Sequence, residues 1–508
     1  MNRERVARSG LISLAGGGTG AVFGLLLAVV VGRGLGPEDT GFFFQMIALF
    51  MIIANVGELG ADTGLVRELA RQVSLGRYAD LVRTIAIAAI PVAAIGIVVL
   101  TAIWLFAPEV AQVISSPAAH PTTTTLIVNT IPFALLASLL TVLLGATRGL
   151  GGVLPFVGII NIGLPVARVV VVLIVLSTGF GLIAAARAWT WPLVVACAGA
   201  AVILAGQLSR MVPRTDAAVQ PRTPTRALVR EFWSFSAARG VAAALEIGLA
   251  WADVLLVAAL LGPTEAGVYA IVSRAARAGL LVDTAMRMAL SPRVSATLAV
   301  GDLAGARALH LSTTRSLILL SWPCYLTLAL FAPAVLSAFG QGFDAGENAM
   351  IALCAAMMLL SATGMLQTVL LMGGHSQWQM GNKAAALVVN IVGILLLVPL
   401  WGIVGAAMAW VITVAVDAAL ACWQVHRLMA VDIALRSLAP AVAVVVGAVV
   451  LPGLLVRGVF GATIPALAVH VVIATAVFVL LCRRFREQFE LDALSGMLRS
   501  PMSKGSRR

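Results

Sequence analysis

TIAIAAIPVAAIGIVVLTAIWLF, residues 84–106, carries no charged side chain and is long enough to cross a bilayer. An α-helix rises about 1.5 Å per residue, so roughly 20 apolar residues span the hydrocarbon core. Runs of this kind recur from one end of the 508-residue chain to the other. The chain is 61% hydrophobic and only 11% charged, with a mean hydropathy of +1.03. A soluble domain carries roughly a quarter charged residues. Within a bilayer, backbone N–H and C=O groups must be satisfied inside their own segment, which makes these runs helices. The alternating pattern of a membrane β-barrel is absent. The fold class read from sequence is therefore an all-α polytopic membrane protein.

About fourteen transmembrane helices are expected. They fall near residues 10–32, 42–66, 84–106, 122–145, 153–177, 182–208, 234–261, 267–290, 316–338, 349–372, 384–399, 403–425, 437–456 and 462–482. The run from Gly10 is longer than the apolar core of a secretory signal, about 7–15 residues, and is expected to stay as the first helix. With the N-terminus inside, inward loops and tails hold 26 of the 34 basic residues. Only Arg33 and Arg457 fall on outward connections, and six lie within spans. This asymmetry follows the positive-inside rule and places both termini in the cytoplasm. The +12 charge is then a topological signal, and no nucleic-acid partner is implied.

The five cysteines (Cys197, Cys324, Cys354, Cys422 and Cys482) lie within or at the ends of apolar spans, without metal-ligand spacing. No metal site and no catalytic residue is expected. The outward connections are short, the longest running from Ala107 to Pro121.

The chain also repeats itself. LGPEDTG (35–41) follows the first span, and LGPTEAG (261–267) follows the seventh. TVLL recurs at 141–144 and 368–371, and GLIAAARAW (181–189) is echoed by GIVGAAMAW (402–410). The offsets are 226, 227 and 221. Six spans per repeat is an even number, so the copies share one orientation. The expected plan is two parallel six-helix lobes around a central cavity, with two extra C-terminal helices. Residues 1–208 form the first lobe, 209–233 a cytoplasmic linker and 234–426 the second lobe. Residues 427–482 supply helices 13 and 14, and 483–508 a basic cytoplasmic tail that meets anionic lipid.

RGLGPEDTG (33–41), its echo at 261–267, the GIVGAA segment from Gly402 and the basic amphipathic stretch Leu65 to Arg83 resemble the polysaccharide-export flippases. These belong to the multidrug/oligosaccharidyl-lipid/polysaccharide exporter superfamily, with the multidrug and toxin extrusion carriers and the lipid II flippase. The resemblance covers the whole chain, but its motifs are turns and packing signatures rather than chemistry. It implies a non-enzymatic carrier of the bacterial cytoplasmic (inner) membrane. Its expected cargo is a polyprenyl-diphosphate-linked oligosaccharide for surface polysaccharide, with a polysaccharide polymerase as a possible partner. A cation-coupled multidrug-type extruder is the alternative reading. A membrane-embedded polymerase or ligase is a more distant one, since the outward loops are too short to build a catalytic domain.

Charges inside a bilayer are costly and normally face protein or water. Arg168, Arg187, Arg239, Arg274 and Arg277 are the candidates for a cationic cavity, because the planar guanidinium suits a diphosphate. Glu246, Asp253, Asp417, Glu58 and Asp62 are the candidates for charge balance or for coupling to H⁺ or Na⁺. Arg239, Glu246 and Asp253 are spaced by seven, which places them on one helix face. Arg274 and Arg277 share a side of the next span. The bland alternative is that these charges pair with one another and hold the halves in register. Asp283 with Arg287 reads as such an interfacial pair at four-residue spacing, and Glu58 and Asp62, also four apart, read as interfacial with Arg67 close by. Trp189, Trp191, Trp251 and Trp410 suit either sugar stacking or anchoring at the membrane interface.

Overall fold

The computed structural model describes residues 3–211, 223–280, 302–363, 366–372, 374–429 and 435–485, with 283, 284, 286, 290, 295–297 and 300. Arg287, most of the expected 483–508 tail and part of the 209–233 linker lie outside the described residues. Every described element is helical. In chain order they are α1 (Arg3–Gly57), α2 (Ala61–Ser74), α3 (Leu81–Leu105), α4 (Ala107–Ile114), α5 (His120–Thr130) and α6 (Ala134–Gly149). Next come α7 (Val153–Phe156), a π-helical stretch Val157–Gly163, α8 (Leu164–Ser177), α9 (Leu182–Thr190), α10 (Pro192–Met211), α11 (Thr225–Leu261) and α12 (Pro263–Arg277). The remainder are α13 (Leu303–Leu330), α14 (Ala332–Ser337), α15 (Glu347–Ala362), α16 (Leu366–Met372), α17 (Ser376–Met429), α18 (Ala439–Phe460) and α19 (Ile464–Arg484).

Among the described residues, ten continuous helical stretches are long and apolar enough to cross a membrane. Two of them, 60 and 51 residues long, exceed twice the length a span needs. Each breaks at a glycine: α1 at Gly36, with φ 75°, and α17 at Gly402, with φ 58°. Such left-handed backbone is open to glycine because it has no Cβ. Both breaks coincide with connections expected from sequence. The expected loop from Ala107 to Pro121 is instead mostly helical, forming α4 and the start of α5. Pro108 sits in the first turn of α4 and Pro121 in that of α5, where a missing N–H costs no hydrogen bond.

The chain forms two compact units. The first comprises Met1–Leu281, Leu336–Ala349 and Met380–Thr413; the second comprises Val282–Val335, Met350–Gln379 and Val414–Arg508. In the first unit, the amphipathic α2 buries Ala61, Leu65 and Leu69, one face at helical spacing, against Leu81, Val92, Val142 and Phe232. Arg67 stays on its exposed side. In the second unit, Ile318 and Leu319 of α13 pack against Ala441, Val445 and Ala448 of α18 and Ala474 of α19. Arg457 donates 2.7 Å to the carbonyl of Leu330, satisfying an otherwise orphaned group at the end of α13. Large apolar side chains such as Val98, Val195, Leu455 and Val472 point outward, as a lipid-facing surface requires.

Candidate arginine–aromatic site

The heptad on α11 separates into two pairings. Arg239 and Glu246 approach to 3.5 Å, with side chains 40% and 55% exposed, a loose contact of small energetic weight. Asp253, two turns further on, is fully buried and faces α12 instead. Its carboxylate accepts from Arg277 Nη2 at 2.8 Å, from the Tyr269 hydroxyl at 3.1 Å and from the Val254 backbone N–H at 2.8 Å. Arg277 Nη1 also donates 2.7 Å to the Ala250 carbonyl, and its guanidinium lies 5.2 Å from the Trp410 ring centre. A carboxylate can be buried this deeply because every direction around it offers a donor.

Arg274, one turn before Arg277, is held differently. Its guanidinium carbon sits 3.7 Å from the ring centre of Phe44 on α1 and 4.9 Å from that of Trp251 on α11. Nη1 donates 3.0 Å to the Ala270 carbonyl of its own helix. Among the described residues, no carboxylate lies within ion-pair distance of it. Aromatic faces attract a cation without neutralising it. Arg277 thus holds an acid directly, whereas Arg274 holds none within ion-pair distance.

A second arginine–aromatic group lies on α8 and α9. Arg168 covers the ring of Trp189 at 3.7 Å and donates 3.1 Å to the Trp189 carbonyl. The Trp189 ring meets Phe50 of α1 edge-on at 5.1 Å. Arg187 is exposed and donates to Asn129 Oδ1, with Nε at 3.0 Å. Neither has a carboxylate partner among the described residues. Phe44 and Phe50 are six residues apart on α1, about 9 Å along the axis. The second half of α1 therefore carries one group on each aromatic.

The remaining acids stand elsewhere. Glu58 follows the end of α1, where its backbone N–H donates 3.2 Å to the Ala54 carbonyl. The Asp62 carboxylate accepts from Thr63 at 3.1 Å, and its backbone packs against Gly145. Arg67 stacks on Phe235 at 4.3 Å. Asp417, in the second unit, accepts from Gln367 Nε2 at 3.0 Å. Of the four tryptophans singled out from sequence, Trp189, Trp251 and Trp410 each lie under an arginine, whereas Trp191 is exposed beside Phe133. Phe44, Phe50, Tyr269 and Asn129 carry the site without having been expected to. Tyr269 had one signal, being one of only three tyrosines.

These features define a multi-span helical membrane protein whose interior presents arginines on aromatic faces. The fold is that of the exporter superfamily. It is similar to the lipid II flippase MurJ in an inward closed conformation, with a TM-score of 0.71 at 11% identity, covering 92% of this chain and 97% of that one. It is also similar to a multidrug resistance MATE family transporter in an inward-facing conformation, with a TM-score of 0.67 at 15% identity, over 84% of this chain and 99% of that one. A transporter of the same superfamily from Pyrococcus furiosus, described by the reverse polarity of its binding pocket, gives 0.57 at 17% identity over 85% and 96%. No curated protein sequence matches the chain. The chain belongs to the polysaccharide biosynthesis protein family, whose sequence profile matches residues 6–298.

Proposed function

We propose that the chain is a flippase that moves a polyprenyl-diphosphate-linked oligosaccharide from the inner to the outer leaflet, for surface polysaccharide, by alternating access. The observation that carries this reading is Arg274, held against the Phe44 and Trp251 rings with no described carboxylate within ion-pair distance. A diphosphate brings the charge that this guanidinium lacks, and the planar fork offers it paired hydrogen bonds. Arg168 and Arg187 extend the cationic character along α8 and α9, and Arg239 adds a loosely held cation on α11. Arg277 is assigned to scaffolding with Asp253. Membership of the polysaccharide biosynthesis family supports the glycan class, and the fold supports a carrier rather than an enzyme.

In this reading residues 1–208 and 234–426 act as the two lobes. Glu246, half exposed beside Arg239, is the acid best placed to exchange its partner when substrate enters, with Glu58, Asp62 and Asp417 as further candidates for H⁺ or Na⁺ coupling. The likeness to a MATE transporter favours a second reading, an extruder of organic cations. Arg168, Arg187 and Arg274, which have no described carboxylate within ion-pair distance, repel such cargo, which places this reading second.

The test is reconstitution. Purified protein in vesicles is expected to expose a lipid-linked oligosaccharide to a membrane-impermeant probe faster than empty vesicles do. Equal rates, with a cationic dye transported instead, would transfer the assignment to the extruder.

A further inference from the structure

The duplicated Gly-Pro turns meet each other. Gly36 and Gly262 occupy equivalent places in the repeat and share a left-handed backbone, with φ 75° and 99° and ψ 177° and 179°. Each starts a helical segment with proline, Pro37 and Pro263, and each segment carries glycine four residues later. A Cβ built at Gly41 would run into the Pro263 carbonyl oxygen and lie 2.9 Å from the Gly267 N. A Cβ built at Gly267 would run into the Pro37 carbonyl oxygen and lie 2.8 Å from the Gly41 N. The contact is reciprocal: residue 41 meets 263 and residue 267 meets 37. This is the signature of a self-complementary interface about a two-fold axis, here between two copies within one chain.

At this crossing backbone lies on backbone. Thr40, Ala266 and Gly267 are buried there, and Pro37 is further covered by Gly342, whose Cβ would lie 3.1 Å from the proline ring. Arg274 follows Gly267 by two turns of α12, and Phe44 follows Gly41 by one turn of α1. The crossing therefore stands one to two turns, about 5–10 Å, from the arginine–aromatic layer. The nearest atoms across it are uncharged backbone atoms of Pro37, Gly41, Pro263 and Gly267, so its closure depends on shape.

We propose that the duplicated Gly-Pro-x-x-x-Gly turn is a clasp that closes the end of the first unit expected to face outward, over the Arg274 layer, and that it closes only because residues 41 and 267 have no side chain. The inference rests on the carrier reading, but its readout does not require substrate. A cysteine at Ser273→Cys, beside Arg274, serves as reporter in a chain whose five native cysteines are replaced. Its modification by a membrane-impermeant methanethiosulfonate is followed from the outer face of right-side-out vesicles. The parent is expected to react slowly. Gly41→Ala is expected to raise that rate about tenfold or more, as a methyl group forces the closed population open. Gly267→Ala, the quasi-equivalent variant, is expected to do the same. Gly17→Ala, whose Cβ meets nothing within 4 Å, leaves the rate at the parental value.

A parent that already reacts rapidly from outside would overturn the clasp, and that result needs no glycine variant. Rates unchanged in Gly41→Ala and Gly267→Ala would overturn it as well. Failure of the oligosaccharide assignment alone would leave these rates as predicted.

Discussion

Arg274 and Phe44 come from opposite copies of an internal repeat, 230 positions apart, yet the guanidinium carbon lies 3.7 Å from the ring centre. The second half of α1 thus supplies the platform and α12 the cation. The Trp251 ring centre lies 4.9 Å from the same carbon. A guanidinium held against two rings loses little rotamer freedom on meeting a diphosphate, because its orientation is already set.

The first prediction concerns that charge. Arg274→Ala is expected to weaken binding of a polyprenyl diphosphate in detergent by about 30-fold or more, since truncating one member of a buried charge pair costs about 2–5 kcal/mol. Arg274→Lys keeps the charge but loses the fork and the stacked plane, and should fall between the two. Equal affinity in all three proteins, measured by equilibrium binding, would remove Arg274 from the site.

Asp253 and Arg277 should behave as structure. Asp253→Ala leaves a partly buried guanidinium without its acid and empties a fully buried position, with a cost of about 2–3 kcal/mol. Asp253→Leu combined with Arg277→Leu removes both charges and is expected to recover most of the loss in thermal unfolding in detergent. A double variant no more stable than Asp253→Ala would mean that the pair is not the source of the stability.

A third prediction separates two contacts near the start of α11. The Asp80 side chain is 2% exposed and accepts from Arg83 at 3.0 Å, from the Thr223 hydroxyl at 2.6 Å and from the Thr223 N–H at 3.3 Å. Arg71 and Glu231 also pair, but both are about 40% exposed. Asp80→Ala is expected to accelerate tryptic cleavage within residues 209–233 several-fold, because the buried acid anchors the chain entering α11. Glu231→Ala should leave the rate close to wild type, since exposed pairs contribute under about 1 kcal/mol. The opposite ranking would contradict this assignment.

The helical class and the breaks at Gly36 and Gly402 were legible because apolar length and Gly-Pro punctuation are local properties. The repeat was legible too, and its meaning deepened when Gly41 and Gly267 proved to touch each other's proline turn. The seven-residue spacing placed Arg239, Glu246 and Asp253 on one face, but it could not choose their partners. Asp253 turned to Arg277 and Tyr269 on α12, where burial made a full set of donors necessary. The rings beneath the arginines were hidden for a related reason. Phe44 and Trp189 look like ordinary apolar or interfacial residues until a distant part of the chain sets a guanidinium on them.

The most direct measurement is mass spectrometry of lipid-linked saccharides, with leaflet sidedness, in cells lacking the gene. These cells are complemented by the wild type or by Arg274→Ala. The account predicts polyprenyl-linked oligosaccharide accumulating on the inner leaflet, loss of surface polysaccharide, and rescue by the wild type but not by Arg274→Ala expressed at the same level. An unchanged lipid-linked pool with surface polysaccharide intact would contradict it.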